Sequence, residues 1–266
     1  MTARGARLGL RTAALGYLFL LLAAPVGLIF FRTFEHGLGP AWEAVTTPEA
    51  QHAFWLTFVM IAVAVPLNTV FGVTCALMLV RSRVPFKPLI NAFIDMPFAV
   101  SPVVIGLALI LVYGNDGWFG GWLTEQGIQV IFSVPGMILA TIFVSLPFVV
   151  REVVPVLREI GTEQEQAAST LGASGWQTFR RITVPSIRWG LTYGVVLATA
   201  RALGEFGAVS VVSGKLSGET ETATLFVENR YHQFDLTGAY AASVVLALMA
   251  MATLLTMNIL NRRREN

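Results

Sequence analysis

Long apolar runs alternate with short polar segments along the chain, and six of the runs reach the length of a bilayer crossing. A spanning helix needs about 20 mostly apolar residues. The runs cover roughly 12–31, 53–80, 89–113, 131–150, 187–212 and 238–260. Only helices or closed barrels satisfy their backbone groups in lipid, and runs of this length predict helices. The expectation is an all-α integral membrane protein with six transmembrane helices, forming a single domain over residues 1–266. Pro25, Pro66, Pro97, Pro102 and Pro147 interrupt the runs. Each removes a backbone donor and frees a carbonyl one turn earlier. They read either as packing kinks or as breaks around a wet cavity.

Charge sharpens this pattern. Only 13% of the residues are charged and 55% are hydrophobic, against about 25% charged in soluble domains. With the N-terminus inside, 14 of the 18 basic residues fall in inner segments and 3 in outer ones. Basic residues favour the cytoplasmic loops, so both termini are expected in the cytoplasm. The first run has the basic front of a signal peptide, yet it continues past Pro25 to Phe31, which predicts a retained helix. The single cysteine, Cys75, permits no intrachain disulfide and no cysteine metal site. His36, His52 and His232 lack metal-ligand spacing. No metal, no cofactor and no nucleic-acid partner are expected in this chain.

The loop 162–185 is too patterned to be a mere connector. From Glu163 it reads EQEQAASTLGASGWQTFRRITVP. Thr162 with Glu165, and Ser174 with Gln177, fit the capping box. Gly172 falls where a left-handed turn would end a helix, and Pro185 is placed to stop a second one. Two short helices follow, about 163–171 and 175–183. Ala167, Ala168 and Leu171 share one side of the first, and Trp176, Phe179 and Ile182 recur at spacings of three in the second. Such a pair either lies on the lipid surface, helped by Arg180 and Arg181, or docks into a cytoplasmic partner.

Three ionisable residues, Asp95, Arg201 and Glu205, fall inside the predicted spans. Intramembrane charge costs at least ~2.5–3.5 kcal/mol per residue, so each requires a partner or a function. Arg201 and Glu205 stand at i and i+4, either as a self-neutralising pair or beside a translocation path. Asp95, two residues before Pro97, suits capping after a helix break, with the path as the alternative.

The 162–185 loop resembles the signature of bacterial ATP-binding-cassette importer permeases: Glu-Ala-Ala, three residues, Gly, nine residues, then Ile-x-Leu-Pro. Here it reads Gln166, Ala167, Ala168, Gly172, Ile182, Val184 and Pro185, with every interval kept and with Gln166 and Val184 as departures. The segment ARALGEFGAVSVVSG and the sequel SGETETATLFVENRYHQFDLTGAYAAS are similar to the W-type permeases of sulfate/thiosulfate importers, with molybdate and related oxyanion permeases as the alternative. The resemblance implies a type I importer permease fold of the MetI-like kind in a bacterial inner membrane. It implies that Gln166, Ala167, Ala168, Gly172, Ile182 and Pro185 belong to a coupling element seated on an ATPase. The implied partners are a T-type permease, an ABC ATPase dimer that binds ATP and Mg, a periplasmic sulfate-binding protein and membrane lipid. No phosphate-cradling GxxxxGK[ST] occurs: Gly214-Lys215 lacks the earlier glycine and the following hydroxyl. No GxSxG nucleophile elbow occurs either. A non-catalytic subunit follows, with a stand-alone secondary transporter as the competing class; repeated halves, common in that class, are not evident.

Overall fold

The computed structural model describes residues 3–265, with side chains described for residues 10–256. Among them every regular element is helical. Helix α1 (Ala3–Leu18), a π-helical turn (Phe19–Ala23) and α2 (Ala24–Phe34) continue as one rod. After α3 (Leu38–Val45) comes α4 (Pro48–Arg81), the longest element. It starts where the Thr47 hydroxyl accepts the Ala50 N–H at 3.2 Å and Pro48 occupies the first turn, where its missing N–H costs nothing. Helices α5 (Lys87–Ala99) and α6 (Pro102–Tyr113) follow, then α7 (Gly120–Glu125) and α8 (Val134–Glu159). The patterned loop contains α9 (Glu163–Thr170), α10 (Gly175–Thr178) and a second π turn (Phe179–Thr183). The chain then forms α11 (Val184–Leu203), α12 (Val209–Val212), α13 (Ala223–His232) and α14 (Leu236–Glu265).

Among the described residues four helices are individually long and apolar enough to cross a membrane: Leu10–Phe34, Pro48–Arg81, Val134–Glu159 and Leu236–Thr256. The pair α5–α6 makes a fifth if taken as one span. Within the run 89–113 the chain is broken ahead of Pro102, where α5 and α6 meet at 113°. Val100 and Ser101 are extended at the break, as the ring of Pro102 requires of the residue before it. The run 187–212 is corrected: α11 stops at Leu203, and α12 is a separate short helix. With Arg188 and Arg201 in its 20 residues, α11 falls outside the helices that qualify by length and apolarity.

Two prolines act in the same way. Pro25 and Pro185 each stand two residues after a π turn, in which the N–H of Ala24 or Val184 reaches back to Phe19 or Phe179. A proline cannot donate and crowds the carbonyl of the preceding turn, and the widened turn absorbs both effects without ending the helix.

Helix α8 is the centre of the bundle. At one end Met137, Ala140 and Val144 pack with Leu56 and Met60 of α4, Ile105 of α6 and Val209 of α12. Toward the other end Val149, Val150, Val153 and Leu157 pack with Cys75, Ala76 and Leu79 of α4 and Ile187 of α11. Small residues let the backbones meet: a Cβ on Gly72 would lie 2.7 Å from Val149 Cβ. Polar groups join the same pair of helices. The fully buried Asn68 donates from Nδ2 to Ile142 O at 3.0 Å and to Ser145 Oγ at 2.8 Å. These bonds reach α8 just ahead of Pro147.

Asn68→Ala removes both links. Its expected cost is about 0.6–1.7 kcal/mol, from the average to the maximum measured for interhelical hydrogen bonds in membranes, read as a lower midpoint in detergent-induced unfolding.

Candidate functional site

The loop between α8 and α11 is built as two short helices, α9 and α10, the second running on through the π turn. Its second start forms as the sequence predicts: Gln177 N–H donates to Ser174 Oγ at 3.3 Å, and Ser174 N–H to Gln177 Oε1 at 2.8 Å. Gly172 adopts φ +83°, the left-handed region. Around it the N–H of Ala173 reaches Ala168 O and that of Gly172 reaches Ser169 O, both at 3.0 Å. These two bonds satisfy the carbonyls at the end of α9 in the pattern of a Schellman motif.

Two expectations about this loop are corrected. Thr162 makes no capping bond to the backbone; its hydroxyl accepts from Gln166 Nε2 at 3.0 Å. Glu165 has turned away to stronger partners, accepting from Thr183 Oγ1 at 2.8 Å and pairing with Arg81 Nε at 2.9 Å. An ion pair with arginine outweighs a local cap. Pro185 does not stop the second helix either, since α10, the π turn and α11 run on without interruption.

The expected apolar faces divide. Ala168 is buried within the chain, whereas Ala167, Leu171 and Trp176 face outward, Leu171 at 88% exposure. Trp176 and Phe179 pair their rings at 5.5 Å. Gln166 and Pro185 are exposed and Ile182 is half-buried. Sequence reasoning missed Arg81 and Thr183. Arg81 closes α4 and donates to Leu157 O at 3.1 Å and Gly161 O at 2.5 Å as well as pairing with Glu165. No local spacing could reveal this, because its partners lie 76 or more residues along the chain.

Arg201 and Glu205 do meet, with Nη1 and Oε2 2.5 Å apart. Their helical relation is corrected, because Glu205 lies beyond the end of α11. Its side chain is 1% exposed, and Oε1 accepts the Ala208 N–H at 2.8 Å ahead of α12. Glu205 thus neutralises Arg201 and also satisfies backbone freed by the break. Thr224 Oγ1 donates to Glu205 O at 2.8 Å, tying the same break to α13. This break packs on the one between α5 and α6: a Cβ on Gly207 would lie 2.9 Å from Pro102 Cβ. Asp95 does not cap a helix. It sits within α5, accepts from Arg151 Nε at 2.7 Å, and pairs through its other oxygen with Arg151 Nη2. This two-pronged contact links α5 to α8 and stays part-exposed. The structure therefore brings Arg201 to Glu205, and keeps Asp95 apart with Arg151. Among the described residues no group of three or more His, Cys, Asp or Glu could hold a metal ion.

Among the described residues the chain is thus an all-helical bundle with two broken helices and a loop of two short helices. Residues 68–266 match the family described as "Binding-protein-dependent transport system inner membrane component", and the chain belongs to that family. Its fold is that of the ABC-transporter permeases, MetI-like. A crystal structure of a bacterial alginate ABC transporter, in complex with an alginate-bound periplasmic protein, superposes with a TM-score of 0.79 over 97% of this chain and 94% of that one, at 16% identity. Over 250 residues the chain is 52% identical to the sulfate transport system permease protein CysW of Synechocystis sp., covering 94% of this chain and 91% of that protein. It is 41% identical over 244 residues to the sulfate transport system permease protein CysT of Synechococcus elongatus, covering 92% and 88%. The chain is a multi-pass inner-membrane protein.

Glu205→Gln keeps an acceptor for the Ala208 N–H but strips Arg201 of its counter-charge. Breaking a buried pair costs ~3–5 kcal/mol, and Arg201 is 29% exposed, so a loss below that range is expected. It should appear as reduced membrane abundance. Arg201→Met with Glu205→Gln should restore abundance, which a double-mutant cycle reads directly.

Proposed function

We propose that this chain is the transmembrane permease subunit of an ATP-driven importer of sulfate and thiosulfate. The observation that carries this reading is 52% identity, over 94% of the chain, with a protein named as a sulfate transport permease. In this reading the chain performs no bond chemistry. It forms the translocation path with a T-type permease, while a cytoplasmic ABC ATPase dimer binds ATP and Mg and a periplasmic sulfate-binding protein delivers the anion.

Six crossings are proposed: α1 with α2, α4, α5 with α6, α8, α11 and α14. The bias of basic residues then sets both termini in the cytoplasm, together with the loop 162–185. Gln166, Ala167, Leu171 and Trp176 present an exposed ATPase-docking face; Ala168, Gly172, Ile182 and Pro185 shape its backbone. The exposure of Leu171 and Trp176 supports docking, since apolar side chains that face outward need a cover. Arg201 and Glu205, at the meeting of two helix breaks, are proposed to border the path, with Asp95 further along it. A pair already neutralised holds an anion weakly, which suits passage rather than storage.

The direct test is uptake of labelled sulfate, thiosulfate and molybdate into vesicles holding the four-subunit assembly. Sulfate uptake should require ATP and the ATPase, and thiosulfate should compete with it. Uptake without the ATPase would instead identify a stand-alone carrier. Leu171→Asp should leave insertion unchanged, because that side chain is exposed, and should cut ATPase recovery in a pull-down by about tenfold or more, as expected for a charge set into an apolar contact.

A further inference from the structure

We infer that Arg81 is a positioning residue for energy coupling, a clasp that makes α9 move as one body with the ends of α4, α8 and α11. The inference rests on the reading of α9 as the ATPase contact. Only Glu165 and Ala168 of α9 are not exposed, so this short helix is held to the bundle through few groups. Arg81 reaches the strongest of them. Its guanidinium donates to Leu157 O in the last turn of α8 and to Gly161 O in the link to α9, and forms an ion pair with the Glu165 carboxylate in the first turn of α9. The second Glu165 oxygen takes the Thr183 hydroxyl at the entrance to α11. One cation and one anion therefore join four chain segments.

The chemistry suits arginine alone. Five fixed N–H donors can serve two carbonyls and a carboxylate together, whereas a lysine ammonium is a single point. The pair also lies where two helix ends favour it: the cation at the C-terminus of α8, among carbonyls without helical donors, and the anion at the N-terminus of α9. The Arg81 and Glu165 side chains are only 17% and 20% exposed, so water screens the pair weakly. Loss of the clasp leaves α9 attached by Ala168 and by its flanking turns. A displacement of α9 would then be absorbed locally instead of reaching α4 and α8.

The test uses the full assembly in vesicles with Arg81→Gln, Arg81→Lys, Glu165→Gln and Thr183→Val. Membrane abundance, ATPase recovery and sulfate carried per ATP hydrolysed are measured together. Arg81→Gln and Glu165→Gln should retain ATPase recovery but lose transport per ATP by about tenfold or more, the scale of a charge-assisted hydrogen bond. Arg81→Lys should recover part of that ratio. Amide hydrogen exchange of α9 in the purified chain, without any partner, should accelerate by about tenfold in Arg81→Gln. If Arg81→Gln fails to accumulate, Thr183→Val, which cuts one bond of the clasp, carries the same comparison. Unchanged exchange in α9 with an unchanged transport ratio overturns the inference. A wild-type chain that recruits no ATPase overturns the underlying reading of α9, and the coupling role falls with it.

Discussion

Backbone groups that leave a helix inside a membrane must find partners within the protein, and the bundle is arranged around that constraint. The chain breaks its helices at Val100–Ser101 and after Leu203. The second break is satisfied from within: Glu205 accepts the Ala208 N–H, and Thr224 donates to Glu205 O. The two breaks also cover each other where Gly207 meets Pro102. A buried carboxylate used this way requires a counter-charge, which Arg201 supplies. Asn68, fully buried, adds a polar link between α4 and α8 through Ile142 O and Ser145 Oγ.

At the end bearing α9 and α10 the same logic operates near water. Helix α8 ends there and α9 begins, leaving unpaired carbonyls and an unpaired helix start close together. Arg81 donates to the Leu157 and Gly161 carbonyls and pairs with the Glu165 carboxylate, which in turn accepts from the Thr183 hydroxyl. The outward face stays apolar at Leu171 and Trp176. A loop clasped on its inner side and greasy on its outer side is suited to being gripped.

Much of this was legible in the chain itself. The runs at 53–80, 131–150 and 238–260 gave α4, α8 and α14, because long apolar stretches dictate helices in lipid. Ser174 and Gln177 capped their helix, and Gly172 turned left-handed, because both effects act within a few residues. What stayed hidden was non-local or a contest between local rules. Thr162 lost Glu165 to Arg81, an arginine far away in sequence. Asp95 lost its expected capping role to Arg151 on α8. Pro185 suggested a stop, yet a π turn carried the helix through it. Arg201 and Glu205 were rightly paired, but α11 ends between them, so the contact is made across a turn.

Cysteine cross-linking tests the central claim, that the outward face of α9 meets an ATPase, most directly. Cys75 is the only native cysteine and is buried, so Cys75→Ser gives a clean background. Leu171→Cys in the assembled complex should cross-link to the ATPase subunit in high yield, and Ala168→Cys, turned into the bundle, should not. Labelling of Leu171→Cys from the lipid phase, with no cross-link to the ATPase, would contradict the claim and return the loop to the membrane surface.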